Sequence, residues 1–62
     1  MKYRIVLHAK GKTLGFDFIT TIEAPNIQEA IDMAVHRVPP KGVEEITIKR
    51  AEFIGGFDAL SY

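Results

Sequence analysis

Few side chains in this sequence have the type and spacing that catalysis requires. Residues 11–13 read Gly-Lys-Thr, like the end of a phosphate-binding loop, but Val6 stands where that motif needs glycine. A strand is also predicted to follow, where the motif needs a helix. Glu44 and Glu45 are adjacent, so in a strand their side chains point to opposite sides and cannot share a proton as a catalytic pair. These segments predict a hairpin turn and a solvated strand start.

The remaining candidates for chemistry are two histidines and a serine. His8 and His36 are the only imidazoles, there is no cysteine, and no His or carboxylate recurs at metal-ligand spacing within one element. The pattern places His36 at a helix end and His8 on an outer sheet face. Ser61 has no rigid base near it that could activate a nucleophile. We therefore expect no enzymatic activity, no metal and no cofactor.

Length and charge narrow the classes of function further. The 62 residues suffice for one small domain, and eight basic residues balance eight acidic ones. This balance argues against nucleic-acid binding, which depends on an excess of cations. No apolar run is long enough for a membrane span and Met1 leads directly into a strand, so we expect a cytoplasmic protein without a signal peptide or anchor.

The segment from Ala24 to Pro40 carries the clearest structural signal. Asn26 suits the N-cap of a helix with Glu29 three residues on, and basic residues precede Pro39 at the other end. The prediction is a helix from about Asn26 to Arg37 with one buried stripe. Its apolar positions are Ile27, Ala30, Ile31, Ala34, Val35 and Val38.

Alternating apolar residues on either side of Gly11 predict a hairpin. The first strand runs from Lys2 to Ala9 and the second begins at Leu14. Parity requires a loop of even length, such as Lys10-Gly11 or residues 10–13, since an odd one would turn one strand's apolar face outward. A two-residue loop, Lys10-Gly11, would also place Arg4 opposite Asp17.

A third strand is predicted from Val43 to Ile54, after a rigid turn over residues 39–42. Its alternation slips, because Ala51 and Phe53 fall on the face opposite Ile46 and Ile48. Either a bulge occurs near Lys49-Arg50 or the far end of the strand is buried against something else. The predicted fold is α+β, a β-β-α-β domain with strand order 2-1-3, the second and third strands parallel and one helix on one face.

One helix covers only one side of such a sheet, so the other side is predicted to be a contact surface. The apolar members of that outer face are predicted to be Val6, Ile19, Phe53 and Tyr62. The third strand is predicted to be an edge with Thr47, Lys49 and Ala51 outward. Met33 adds an exposed, soft contact residue on the helix. The tail, residues 55–62, either folds back on the sheet or stays flexible.

The order of elements and several residues resemble the small host RNA polymerase inhibitors of podovirus-type phages. The likeness runs from about Phe16 to Arg50 and depends mostly on the loop that enters a Gly-x-Glu strand. It comprises Phe18, Ile22 and Ala24, then Glu29, Ala30, Ile31 and Ala34, then Pro40, Gly42 and Glu44.

The resemblance implies a stoichiometric inhibitor that binds the acidic jaw of the bacterial polymerase's largest subunit and interferes with promoter opening. In that family two arginines on the last strand contact the jaw, and their positions fall on Thr47 and Lys49 here. Lys49 keeps the charge without the bidentate fork, and Thr47 loses it. The hypothesis is therefore a protein-binding module with a protein partner and no nucleic-acid or membrane contact; its predicted contact residues are Lys49, Arg50, Thr47, Met33 and Arg4. The alternative is a structural domain that homodimerises through its outer sheet face or its edge strand.

Overall fold

The computed structural model describes residues 1–55 and contains three strands and one helix. The elements are β1 (Lys2–Lys10), β2 (Gly15–Glu23), α1 (Ile27–Arg37) and β3 (Glu45–Gly55). They form a sheet of order β2-β1-β3 in which β1 is antiparallel to both neighbours, so β2 and β3 run parallel to each other. The predicted α+β fold, strand order and strand directions are confirmed. The prediction for the tail, including Tyr62, falls outside the described residues.

The central position of β1 follows from its composition. Ile5, Leu7 and Ala9 have no accessible surface, and Tyr3 retains only 6% of its own. A strand this apolar is most stable between two others, where the backbone groups on both its sides are also paired.

The hairpin loop has an even length, as parity requires. It has four residues, like the longer of the two predicted loops, but it lies one residue further along the chain. Lys10 pairs with Gly15, which leaves four residues, 11–14, in the turn. In this register Arg4 lies opposite Thr21, and Asp17 lies opposite His8. The predicted pairing of Arg4 with Asp17 is therefore wrong.

Helix α1 begins and ends as its capping residues predict. The Asn26 side chain accepts a hydrogen bond from the Glu29 backbone N–H at 2.9 Å and supplies the N-cap. At the other end, His36 Nδ1 lies 2.7 Å from the Asp32 carbonyl oxygen, to which it donates. Val38 leaves the helix in an extended conformation ahead of Pro39.

The helix meets the sheet through small side chains. Ala30 and Ala34 are fully buried, so the helix backbone can lie close to the sheet. Arg37 extends over β2 and donates hydrogen bonds to the Thr20 hydroxyl at 3.0 Å and the Thr21 carbonyl at 3.4 Å. The second of these bonds brings the guanidinium to the backbone of an edge strand.

At the hairpin end, the loop into β3 packs against the hairpin turn. A Cβ built on Gly11 would overlap the carbonyl oxygen of Gly42, so only glycine allows this approach. Gly42 has a φ of 81°, and the Val43 N–H bonds the Pro40 carbonyl at 3.1 Å, as in a type II turn. The Glu44 N–H then bonds the Lys10 carbonyl at 2.8 Å and starts the ladder between β3 and β1.

Strand β3 contains the predicted bulge. Val6 pairs with Arg50 and the next residue, Leu7, pairs with Ile48, so Lys49 is the extra residue. A second irregularity lies near Gly55, between the partners of Lys2 and Tyr3. No helix in the described part of the chain is long and apolar enough to span a membrane.

Candidate functional surface

The candidate site is the sheet face opposite the helix, here called the outer face. Alternation along β1 fixes its members, since the residues between the buried ones must point away from the core. Across the three strands its rows run Thr21, Arg4, Glu52; then Ile19, Val6, Arg50; then Asp17, His8, Thr47.

The bulge determines which cations this face presents. Two residues of β3, Lys49 and Arg50, occupy the space of one, and both side chains reach the outer face. Arg50 lies opposite outward-facing Val6. Lys49 Nζ lies 3.4 Å from Asp17 Oδ2, on the far side of β1. A regular strand would have sent one of these two cations toward the helix.

Glu52 organises the guanidinium groups at one end of the surface. Its Oε1 lies 3.7 Å from Arg4 Nη1, and its Oε2 lies 3.5 Å from Arg50 Nη1. All three side chains are substantially exposed, so these pairs contribute little to stability and can be exchanged for a partner's carboxylates.

Asp17 organises the other end in the same way. Its Oδ1 accepts a hydrogen bond from His8 Nδ1 at 2.9 Å, and its Oδ2 lies 3.4 Å from Lys49 Nζ. The hydrogen bond from His8 lowers the pKa of the Asp17 carboxyl, Lys49 lowers it further, and partial desolvation opposes both. Since a carboxylate only accepts, Nδ1 of His8 carries the hydrogen in this contact.

The two clusters leave positive charge in excess. Arg4, Lys49 and Arg50 bring three permanent cations against the two carboxylates of Asp17 and Glu52. The chain as a whole has no net charge, so this excess is local. The outer face is therefore locally positive.

Between the charged clusters lies a small apolar centre. Ile19 retains 64% of its accessible surface, the highest value among the large apolar side chains described, and its neighbour Val6 is half-buried. An apolar centre within a polar rim is the usual arrangement of a protein-binding surface.

Two residues predicted for this face lie on the other side of the sheet. Phe53 pairs with Tyr3, with ring centroids 5.7 Å apart, and Ala51 pairs with Ile5; both therefore share the helix face. The bulge is the reason, because one extra residue inverts the alternation beyond it. The prediction that Ala51 and Phe53 point outward is wrong.

The five predicted contact residues do not form one surface. Arg4, Thr47, Lys49 and Arg50 share the outer face, and the structure brings them together. Met33 is exposed on the helix, which packs on the opposite side of the sheet. A partner that binds the outer face cannot reach Met33 without wrapping around the sheet.

Sequence reasoning placed Asp17 on the outer face but paired it with Arg4, and it missed the second carboxylate, Glu52. Glu52 would have been found by fixing the bulge at Lys49, which puts Arg4, Arg50 and Glu52 on one face. The observed partner of Asp17 required the correct loop, since only a loop over residues 11–14 places Asp17 beside His8.

Residues 1–55 contain no group of three or more His, Cys, Asp or Glu side chains placed to hold a metal ion. No protein-family model, curated protein or solved structure matches this chain. Fold and surface together define a small α+β protein with a three-stranded sheet. The sheet face away from the helix carries two charge clusters on either side of an apolar centre.

Proposed function

We propose that this chain is a non-enzymatic protein-binding module that uses its outer face to bind an acidic protein surface. The observation that supports this most directly is the bulge, which adds Lys49 to the face that already carries Arg4 and Arg50. The exposed Ile19 lies across β1 from Arg50 and provides an apolar contact beside the cations.

Binding would proceed by exchange of ion pairs. Each cation now lies near a carboxylate of its own chain at 3.4 to 3.7 Å, in solvent-exposed pairs of low energy. A partner's carboxylates can replace Asp17 and Glu52 at small cost, while burial of Ile19 adds a hydrophobic contribution. The excess of cations would also speed association with an acidic surface.

The candidate partner is the acidic jaw of bacterial RNA polymerase, the target implied by the resemblance to phage inhibitors. The two family arginine positions fall on Thr47 and Lys49, and both lie on the outer face here. Arg50 restores a second cation, with a guanidinium that can form bidentate bonds to a carboxylate. The proposed action is therefore stoichiometric inhibition of promoter opening through a contact centred on Lys49 and Arg50.

The test is charge reversal at these two positions. The double variant Lys49→Glu, Arg50→Glu should lose at least tenfold in affinity for purified bacterial RNA polymerase, and should no longer inhibit promoter opening. Circular dichroism and thermal unfolding would check that the variant is folded.

A matched control is available in the loops. Lys12→Glu with Lys41→Glu makes the same change in net charge at exposed positions outside the outer face. This control should bind as the unmodified protein does. Equal loss in both double variants would indicate a nonspecific charge effect, and unchanged binding in the first would overturn the proposal.

A further inference from the structure

The two edge strands of the sheet, β2 and β3, differ in whether a side chain bonds their outward-facing backbone. On the β2 side, Arg37 bonds the Thr21 carbonyl and lies over that strand. On the β3 side no other described element pairs with the strand, which runs for eleven residues from Glu45 to Gly55. A strand with an open edge is a template for another strand.

The helix face of β3 carries apolar side chains that the helix leaves exposed. An eleven-residue helix is about 16 Å long, whereas eleven strand residues extend about 36 Å. Ile48 keeps 37% of its surface and Phe53 keeps 59%. These two residues lie on either side of Ala51 on the same face.

We propose that β3 pairs antiparallel with β3 of a second copy, around a two-fold axis at Ala51, and so joins two sheets into one of six strands. In this register Arg50 of each copy lies directly opposite the partner's Glu52 on the outer face. If the extra residue Lys49 is passed over, as it is by β1, Ile48 lies opposite the partner's Phe53 on the helix face.

The pairing is self-complementary in both charge and polarity. Each Arg50 meets a carboxylate, each Ile48 meets an aromatic ring, and Ala51 meets Ala51 on the axis, where a small side chain suits two strands in contact. The sequence also predicted a dimer through the outer face, in which Phe53 would be one of the apolar contact residues. That side chain lies on the helix face, so the β3 edge is where it can meet a second copy.

The first test uses charge reversal and its rescue. Analytical ultracentrifugation should show a mass that rises from one chain to two between micromolar and millimolar concentration. Arg50→Glu alone and Glu52→Arg alone should each remain monomeric, because like charges then face each other across the axis. An equimolar mixture of the two variants should form dimers, because each introduced glutamate would then meet an introduced arginine of the other copy.

The second test fixes the register. The chain has no cysteine, so Ala51→Cys introduces a single thiol whose Cα would lie about 4.5–5.5 Å from its symmetry mate, within disulfide range. Mild oxidation should give a covalent dimer. Thr47→Cys is the matched control in the same strand and should not crosslink, because its symmetry mate lies several residues away along the ladder.

These outcomes are separate from those that test the proposed function. A strictly monomeric protein at millimolar concentration, or equal crosslinking at positions 47 and 51, would overturn the β3 dimer and leave the polymerase result standing. Loss of polymerase binding in Lys49→Glu, Arg50→Glu alone would not bear on the dimer. The covalent dimer of the Ala51→Cys variant keeps Lys49 exposed and provides a direct check that the two contacts are compatible.

Discussion

At the scale of single residues, Asp17 shows how one carboxylate can order a surface without stabilising it much. It contacts His8 on the central strand and Lys49 on the far strand, so three strands meet at one side chain. Glu52 likewise holds two cations, Arg4 on the central strand and Arg50 on its own strand. Both carboxylates hold cations that the proposed partner would bind in their place.

The lowered pKa of Asp17 predicts a pH dependence of stability. The folded state binds the proton of this carboxyl less readily than the unfolded chain, so its contribution is present above the ordinary carboxyl range and is lost as pH falls through the lowered pKa. Urea unfolding across about pH 2 to 6 should therefore show a smaller acid loss of stability in Asp17→Asn than in the unmodified protein.

The matched control for this experiment is Glu23→Gln, which removes a carboxylate from the same strand outside the cluster. It should leave the acid limb of the stability profile closer to that of the unmodified protein. Identical profiles for Asp17→Asn and the unmodified protein would contradict the role assigned to Asp17.

At the scale of elements, the bulge in β3 interrupts the regular alternation of the strand and adds a cation, Lys49, to the outer face. Without Lys49 the strand would read as an uninterrupted alternation, with Ile46, Ile48, Ala51 and Phe53 at every second position. The extra residue, Lys49, therefore adds nothing to the packing of the core, and it adds a positive charge to the outer face.

Deletion of Lys49 should give a folded protein whose stability in urea equals or exceeds that of the unmodified chain, because the ladder to β1 becomes regular. Its affinity for polymerase should fall, since one of the two central cations is gone. Far-ultraviolet circular dichroism and urea unfolding report the first effect, and a direct binding titration reports the second.

Deletion of Thr47 is the control, since it shortens the same strand by one residue. It turns either Ile46 or Ile48 outward in any register and should destabilise the fold. Equal destabilisation by both deletions would show that the bulge is needed for folding.

Local signals allowed much of this fold to be predicted. Asn26 and Glu29 fix the helix start through bonds between near neighbours, and the parity of β1 and β2 fixes an even loop. The loop's length depends on contact between Gly11 and Gly42, which are far apart in sequence. The side of the sheet to which Phe53 points depends on one extra residue, Lys49. The alternation of the strand was compatible either with a bulge or with burial of the strand's far end against another element.

The candidate site was predicted in part for the same reason. Lys49 and Arg50 are visible in the sequence as a basic pair in the middle of the last strand, and the bulge then decides that both share a face. Met33 was included because exposure on a helix is visible in the sequence. Whether Met33 lies near Lys49 and Arg50 depends on which side of the sheet the helix packs, and that is a property of the tertiary structure.

At the scale of the whole molecule, the buried core and the proposed contact surface lie on opposite sides of one sheet. The helix face holds fully buried residues such as Ile5, while the outer face holds exposed Ile19. The same residue type would therefore stabilise the fold at Ile5 and bind the proposed partner at Ile19, and substitutions should separate the two effects.

Ile5→Val should cost about 0.5–1.5 kcal/mol in the free energy of unfolding and leave polymerase affinity unchanged. Ile19→Ala should change the unfolding free energy by no more than about 0.5 kcal/mol and weaken binding by about fivefold or more. Urea titration and a binding isotherm on each variant provide the comparison. If Ile19→Ala binds normally, the apolar centre is not part of the contact.

The position of Arg37 has a consequence for how far assembly can proceed. Sheets with two open edges can add strands without limit and grow into fibrils. Here the Arg37 guanidinium bonds one backbone carbonyl on the β2 side, so strand addition would be directed to β3, and the proposed pair of copies would have used its open edge. Such an assembly would be closed and finite, with the Arg37 side chain at the edge where further strands would otherwise add.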